Sequence, residues 1–277
     1  MSKTRTIILG ASHWHVPLYA RAIGEEHQVV GVSDEDVSLV QGLAKAWGAP
    51  VAADWRSLLD LPEVGLAYVF GPHDEMAGKC LALIERGIPF VVEKPLGTSL
   101  AELVQVRKAA DAAGVPGTVP LIQRGGPTDR WLAKSGRPTY QRISFIAGPP
   151  SRYLANGNPW MLDAATAGGG CLANLGPNFV DLFLQACGES ASSVDSRLSS
   201  ALHGGAVEDH ASLIITTPSG CESHRGGGVR LPGFAAQALL QLHLGGRGGV
   251  RLRQLGRFCH VHCVGRDNGV RRDRRGQ

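Results

Sequence analysis

The chain has 277 residues, 43% hydrophobic and 19% charged, which excludes wholesale disorder and gives length enough for two domains. No apolar run reaches the roughly eighteen residues of a membrane span, and Met1-Ser2-Lys3-Thr4-Arg5 leads directly into Ile7-Ile8-Leu9-Gly10 without a secretory h-region. A net charge of +4 conceals an asymmetry: residues 1–220 hold 17 Lys+Arg against 21 Asp+Glu, and residues 221–277 hold 11 Arg against 3 acids.

Through residue 122, strand-length apolar runs alternate with helix-period segments, the pattern of a parallel sheet with crossover helices. Thr6-Ile7-Ile8-Leu9 reads as the first strand and Pro17 to Ile23 as the first helix. Val29-Val30-Gly31-Val32 follows, then a helix from about Asp36 to Trp47 that stops at Gly48. Asp54 can cap a short helix through Leu59, and Leu66 to Phe70 is a fully apolar strand. A helix from about Asp74 to Arg86 ends at Gly87, and Pro89 to Val92 is the next strand. Ser99 and Glu102 have capping-box spacing for a helix closed by Gly114, and Val115 to Ile122 supplies the last strand. The expected fold class is therefore α/β, with a doubly wound parallel sheet.

Ligands of such sheets bind beyond the carboxyl ends of the strands. The first such loop is Gly10-Ala11-Ser12-His13-Trp14-His15. A dinucleotide fingerprint places Gly at the first, third and sixth positions, and only Gly10 conforms. Ser12 still offers a hydroxyl and an amide at a helix N-terminus. His13 and His15 are either phosphate-side donors or ordinary loop histidines. Asp34, 24 residues after Gly10, stands where a carboxylate accepts from a ribose 2′-OH, which favours NAD over NADP. The alternative for Asp34 is a helix cap, as for Asp36.

Glu93-Lys94-Pro95 follows the strand Pro89 to Val92, and Gly71-Pro72 follows the strand Leu66 to Phe70. Together with GTSLAELVQVRKAADAAGV (97–115), Arg124 and GGGCLANLGPNFVDLF (168–183), these segments resemble the glucose-fructose oxidoreductase/inositol dehydrogenase/MocA (Gfo/Idh/MocA) family over roughly residues 5–220. The resemblance implies a Rossmann domain at 1–122 that binds NAD or NADP. Its cofactor would be lined by Gly10, Ala11, Ser12, His13, Trp14, His15, Asp34, Gly71, Pro72, His73, Glu93 and Lys94. It further implies a second α/β domain from residue 123 whose open sheet carries the substrate face and often a homo-oligomer interface.

Members of that family commonly oxidise or reduce a carbinol of a sugar, cyclitol or related polyol. The lysine matching Lys94 sits between nicotinamide and substrate. A lysine in a partly dry cleft can have a lowered pKa and bond the reacting oxygen, independently of any family. Lys94, Arg124, Trp160, Asn174 and Asn178 are the expected substrate contacts, with Lys94, Asn174 and Asn178 as the catalytic set. Here the chain departs from the pattern: Asn174 and Asn178 stand where the family has an Asp and, four residues on, a His. An amide positions a hydroxyl but takes no proton near neutral pH. Met76 likewise stands in the place of a His and Met161 in the place of an Arg, whereas Asp181 matches a structural carboxylate. The competing expectation is a catalytically impaired, nucleotide-binding remnant.

Val207 to Thr217 alternates like a strand and Pro218-Ser219-Gly220 turns, so a hairpin partner is due. Instead, residues 221–277 lack Tyr, Trp and Lys and are dominated by Gly and Arg. The expectation is a reading-frame shift near codon 220, which would imply a second domain truncated to 123–220, an incomplete sheet and an anomalous tail. The Gly/Arg segments at 245–249 and 271–275 offer charge for nucleic-acid phosphates, but no aromatic beyond Phe258 and the histidines is interleaved with them, so nucleic acid is not the expected partner. Cys259-His260-Val261-His262-Cys263 packs four zinc-ligand types too tightly for one tetrahedron, so no metal is expected. The six scattered cysteines exclude a disulfide framework and, with the apolar pattern above, point to a cytoplasmic protein without membrane attachment.

Overall fold

The structure, a computed structural model, describes residues 2–228, 239–245, 249–255 and 258–264, with side chains as far as residue 224. The chain divides into two compact units, Met1–Ile122 with Pro150–Pro177 and His203–Glu208, and Gln123–Pro149 with Asn178–Leu202 and everything from Asp209 on.

The first unit follows the alternation read from the sequence. Strand β1 (Thr4–Leu9) leads to helix α1 (Val16–Glu26), β2 (His27–Ser33), α2 (Gln41–Trp47) and β3 (Val51–Ala52). Then come β4 (Leu66–Val69), α3 (His73–Glu85), β5 (Phe90–Val92), α4 (Leu100–Ala113) and β6 (Gly117–Thr118). All six strands are parallel, in the order β3-β2-β1-β4-β5-β6. Alternate residues of a strand face opposite sides of a sheet, and β1 obeys this strictly. Ile7 and Leu9 join a core with Ala67, Val69, Met76 and Leu83, while Ile8 joins one with Val16, Ile23 and Val32.

The helix ends are set by local chemistry. Ser99 and Glu102 form the expected capping box, with Glu102 also accepting the Thr98 amide. Asp54 accepts the Arg56 amide, and Asp36 accepts the Ser38 amide. The helix expected from Asp36 to Trp47 is broken into a 3₁₀ turn at Val37–Leu39 and α2, because Asp36 caps the short turn and the chain restarts at Gln41.

The first unit also takes helices α6 (Ser151–Ala155) and α7 (Ala164–Ala167), which follow α5 (Pro127–Ser135) and β7 (Tyr140–Ile146) of the second. Helix α8 (Cys171–Cys187) starts in the first unit and ends in the second, and the division falls at Pro177. Pro177 has no N–H to give the carbonyl four residues back, so the helical ladder is interrupted there.

The second unit holds β7, β8 (Ser193–Ser199), β9 (His210–Thr216), β10 (Glu222–Gly228), β11 (Leu239–Gly245), β12 (Gly249–Leu255) and β13 (Phe258–Val264). They form one seven-stranded sheet in the order β13-β12-β11-β7-β10-β9-β8. Ile143, Leu132, Phe179 and Leu182 pack into its core. The sequence reading ended this domain at residue 220, whereas paired strands continue to Val264. β10 pairs antiparallel with β9 and parallel with β7. Ladder bonds join backbone groups, so strands can pair even where the side-chain pattern gives no alternation. No described helix is long and apolar enough to cross a membrane.

Candidate active site

Four loops of the first unit leave the carboxyl ends of β1, β2, β4 and β5, around the point where the strand order reverses between β1 and β4. The β1 loop turns at Gly10, where φ is +75° and a β-carbon would lie 2.3 Å from the Phe70 carbonyl oxygen. Only glycine fits so close to that backbone. The Gly10 and Ala11 amides both donate to the Ser33 carbonyl, at 2.9 and 3.0 Å, which ties the loop to the end of β2. The Ser12 amide donates to Asp34 Oδ2 at 2.7 Å. Ser12 and Asp34, read separately as a phosphate donor and a ribose acceptor, are thus bonded to one another. With Gly10, Gly71, Trp55 and Trp160 they line a cleft of about 820 Å³. Its size and its place at the strand ends fit a dinucleotide.

Histidines and aromatic rings pack together next to this loop. His13 is buried, accepts the His15 amide on Nδ1 at 3.1 Å, and has the Phe70 and Trp160 rings 5.8 and 5.9 Å away. Burial, reinforced by His15 and Lys94, holds its pKa well below the usual histidine value. His73 donates from Nδ1 to the Ala167 carbonyl at 2.7 Å. Burial brings it down to about 4 despite that bond, so it is a neutral donor at pH 7. Trp160 meets His73 edge-on at 4.9 Å, and its indole N–H donates to Asn158. Met76 and Met161, which also depart from the family pattern, are both buried.

Glu93 and Lys94 leave β5 side by side. Glu93 accepts from the Tyr19 hydroxyl at 2.9 Å and from the Lys94 amide at 3.0 Å, and His15 Nδ1 lies 3.3 Å from its carboxylate. Burial alone would raise this acid, but His15, Lys94 and Tyr19 together hold it below its ordinary value. Lys94 is 5% exposed. Its Nζ lies 3.8 Å from Glu93 and donates to Asn174 Oδ1 at 2.7 Å. Burial brings the amine down to about 8, opposed by Glu93 and aided by the Arg152 charge. Lys94 and Asn174, read from the sequence as separate substrate contacts, are thus bonded to one another, and the chain of bonds extends one residue further. Asn174 Nδ2 donates to the Tyr153 hydroxyl at 2.7 Å.

Helix α8 is anchored by the glycines before it. A β-carbon on Gly170 would lie 2.1 Å from the Glu208 carbonyl oxygen, so the chain passes there without a side chain. The Glu208 carboxylate accepts the amides of Gly170 and Leu172 at 2.7 and 2.9 Å and caps the helix that carries Asn174. Tyr153 and Glu208 were not among the sequence-derived site residues. Tyr153 sits in a five-residue helix, too short to show a period, and Glu208 lies just ahead of β9, in a stretch the sequence reads simply as strand.

Two expected substrate contacts belong to the second unit. Asn178 is buried there, with no partner for its Oδ1 among the described residues. Arg124 donates from Nε to Asp181 at 2.8 Å and forms a second bond to the same carboxylate. The side chains of Cys259 to Cys263, residues 246–248 of the first Gly/Arg segment and all of 271–275 lie outside the described residues. Among the described residues, no group of three or more His, Cys, Asp or Glu side chains could hold a metal ion.

Residues 5–120 match the family described as an oxidoreductase family with an NAD-binding Rossmann fold, and residues 133–234 match the GFO/IDH/MocA C-terminal domain. A protein of Amycolatopsis mediterranei assigned as the oxidoreductase subunit of a UDP-kanosamine synthase is 31% identical over 173 residues, 60% of this chain and 46% of that protein. The chain thus matches less than half the length of that curated relative. Among solved structures, GenD2 from gentamicin A biosynthesis in complex with NAD superposes with a TM-score of 0.81 at 22% identity, covering 91% of this chain and 73% of the other. The WlbA dehydrogenase of Chromobacterium violaceum, in complex with NADH and UDP-GlcNAcA, gives 0.79 at 19% identity, covering 97% and 79%. Both N- and C-terminal domain models of one family therefore match in chain order, and the chain belongs to the Gfo/Idh/MocA oxidoreductases with an NAD-binding Rossmann domain.

Proposed function

We propose that this chain is a dehydrogenase that interconverts a carbinol and a carbonyl on a sugar, nucleotide sugar or similar polyol, using NAD. The observation that carries the reading is the buried Lys94 amine, brought down to about 8 and aimed by its bond to Asn174. The loop from Gly10 to His15, Asp34 and the Gly71-Pro72 turn would hold the coenzyme, which when bound supplies the hydride acceptor or donor. Lys94 then holds or takes the proton at the reacting oxygen, the role of a general acid–base group with a pKa near the working pH. Asn174 contributes orientation only, since an amide does not exchange a proton in this range. His13 and His73, both pushed down by burial, stay neutral and act as packing and hydrogen-bonding groups.

The test has two stages. Titration with NADH and with NADPH, followed by quenching of tryptophan emission, is expected to give a saturable response that is tighter for NADH. Turnover is then sought on a panel that includes UDP-glucose, UDP-N-acetylglucosamine and myo-inositol. A response to neither coenzyme overturns the reading. Coenzyme binding with no turnover on any such carbinol supports instead a nucleotide-binding protein without catalysis, which the two Asn in place of Asp and His favour.

A further inference from the structure

Asn174 has a fixed polarity. Lys94 can only donate when charged, so its partner must be the amide oxygen, and the amide nitrogen must face Tyr153. The Tyr153 oxygen is thereby an acceptor, and its own hydrogen is left to donate elsewhere. Tyr153 is 9% exposed, and among the described residues nothing accepts that hydrogen. Buried donors in native proteins nearly always have an acceptor, so this one points to a ligand atom. The ring is not free to swing away from Asn174: the Arg152 guanidinium lies 5.0 Å from it, and the same guanidinium lies 4.7 Å from the Trp14 ring. Trp14 itself meets the Tyr153 ring edge-on at 5.9 Å.

We propose that Tyr153 is a catalytic residue whose phenolic hydrogen bonds the substrate's reacting oxygen beside the Lys94 amine. The inference rests on the dehydrogenase reading above. In the oxidation direction the carbinol C–H bond breaks as hydride to the oxidised coenzyme, the O–H proton passes to the neutral Lys94 amine, and the C=O bond forms. Tyr153 keeps its proton throughout and donates a hydrogen bond to the oxygen as negative charge develops there. Donors arranged in advance around such an oxygen act most strongly in the transition state. Burial holds the phenol above its ordinary value, so it remains a donor across the range in which Lys94 titrates. One amide thus aligns two donors of different kinds, one that exchanges a proton and one that does not.

The experiment begins with calorimetric titration of the NAD-loaded wild-type chain with UDP-glucose and with myo-inositol. For whichever binds, Tyr153→Phe is expected to raise Kd by roughly 2- to 12-fold, the worth of one neutral hydrogen bond. Its effect on kcat should be larger, about 10-fold or more, because the bond strengthens as charge develops. Coenzyme affinity serves as the control for folding. A second measurement places 3-fluorotyrosine at position 153 and follows its fluorine resonance, which should move saturably with the same sugar or polyol. A purely structural tyrosine would show neither the resonance shift nor the larger effect on kcat than on Kd. Ligand binding with an unmoved resonance and unchanged constants in Tyr153→Phe overturns this assignment alone. Failure of every probe to bind the wild-type chain overturns it together with the dehydrogenase reading.

Discussion

Around the β1 loop the geometry is made of backbone: Gly10 against the Phe70 carbonyl, two amides on Ser33, one on Asp34. Around Lys94 it is made of side chains, with Glu93 on one side and Asn174, then Tyr153, on the other. Backbone contacts tolerate almost any side chain that does not intrude, which is how Ser12 and His15 can stand where a fingerprint has glycine. Side-chain chains tolerate no such drift, since each link fixes the polarity of the next. The coenzyme end should therefore respond to added bulk, and the reacting end to altered chemistry at constant volume.

The largest effect is expected at the reacting end. Lys94→Ala should lower kcat by about 10²–10⁴, with a much smaller effect on coenzyme Kd because the β1 loop, Asp34 and the Gly71-Pro72 turn keep their grip. Loss of coenzyme binding in that variant would merge the two regions into one. At the other end, Gly10→Ala puts a β-carbon 2.3 Å from a carbonyl oxygen at a positive φ. It should cost about 2–4 kcal/mol of stability in urea unfolding and weaken coenzyme binding before it touches substrate binding.

Chemistry at constant volume is probed by Asn174→Asp. In the wild type, alcohol oxidation needs the neutral Lys94 amine, so its rate should rise with pH through a midpoint of about 8, and carbonyl reduction should fall through the same midpoint. A carboxylate at 174 favours the ammonium form and should move that midpoint upward by about one to three pH units. The matching control, Asp34→Asn, should leave the midpoint where it is. A downward or absent shift in Asn174→Asp would mean that another group governs the profile.

The contrast also explains what the sequence could disclose. β1, β2, β4, β5 and β6 were legible because apolar runs and helix periods alternate, and because Gly48, Gly114, Ser99 and Asp54 mark the ends of elements, whereas β3 has only two residues and shows no pattern. Lys94 and Asn174 were legible through motif spacing. Tyr153 was not, since a five-residue helix carries no periodicity and its role arises only when α8 is laid beside Lys94. Glu208 was equally silent: an acid read as part of a strand becomes a helix cap only through contacts 36 and 38 residues away. The strands from 222 to 264 were missed for the opposite reason, because ladder pairing needs backbone while the sequence reading relied on side-chain alternation.

The smallest effect is expected at Arg124, where the sequence pointed to a substrate contact and the structure gives an ion pair with Asp181. The Arg124 side chain is 58% exposed and Asp181 16%, so water screens much of the attraction. Exposed pairs contribute about 0–1 kcal/mol. Arg124→Ala should accordingly lower the melting temperature by a few degrees at most, roughly 2–4 °C for a chain of this size, and leave KM for the sugar or polyol unchanged. Asp181→Asn should reproduce that small loss, and the double variant should lose no more than either single one, as expected when both residues act through the same bond. If KM instead rises tenfold or more in Arg124→Ala but not in Asp181→Asn, the guanidinium reaches substrate on its own account.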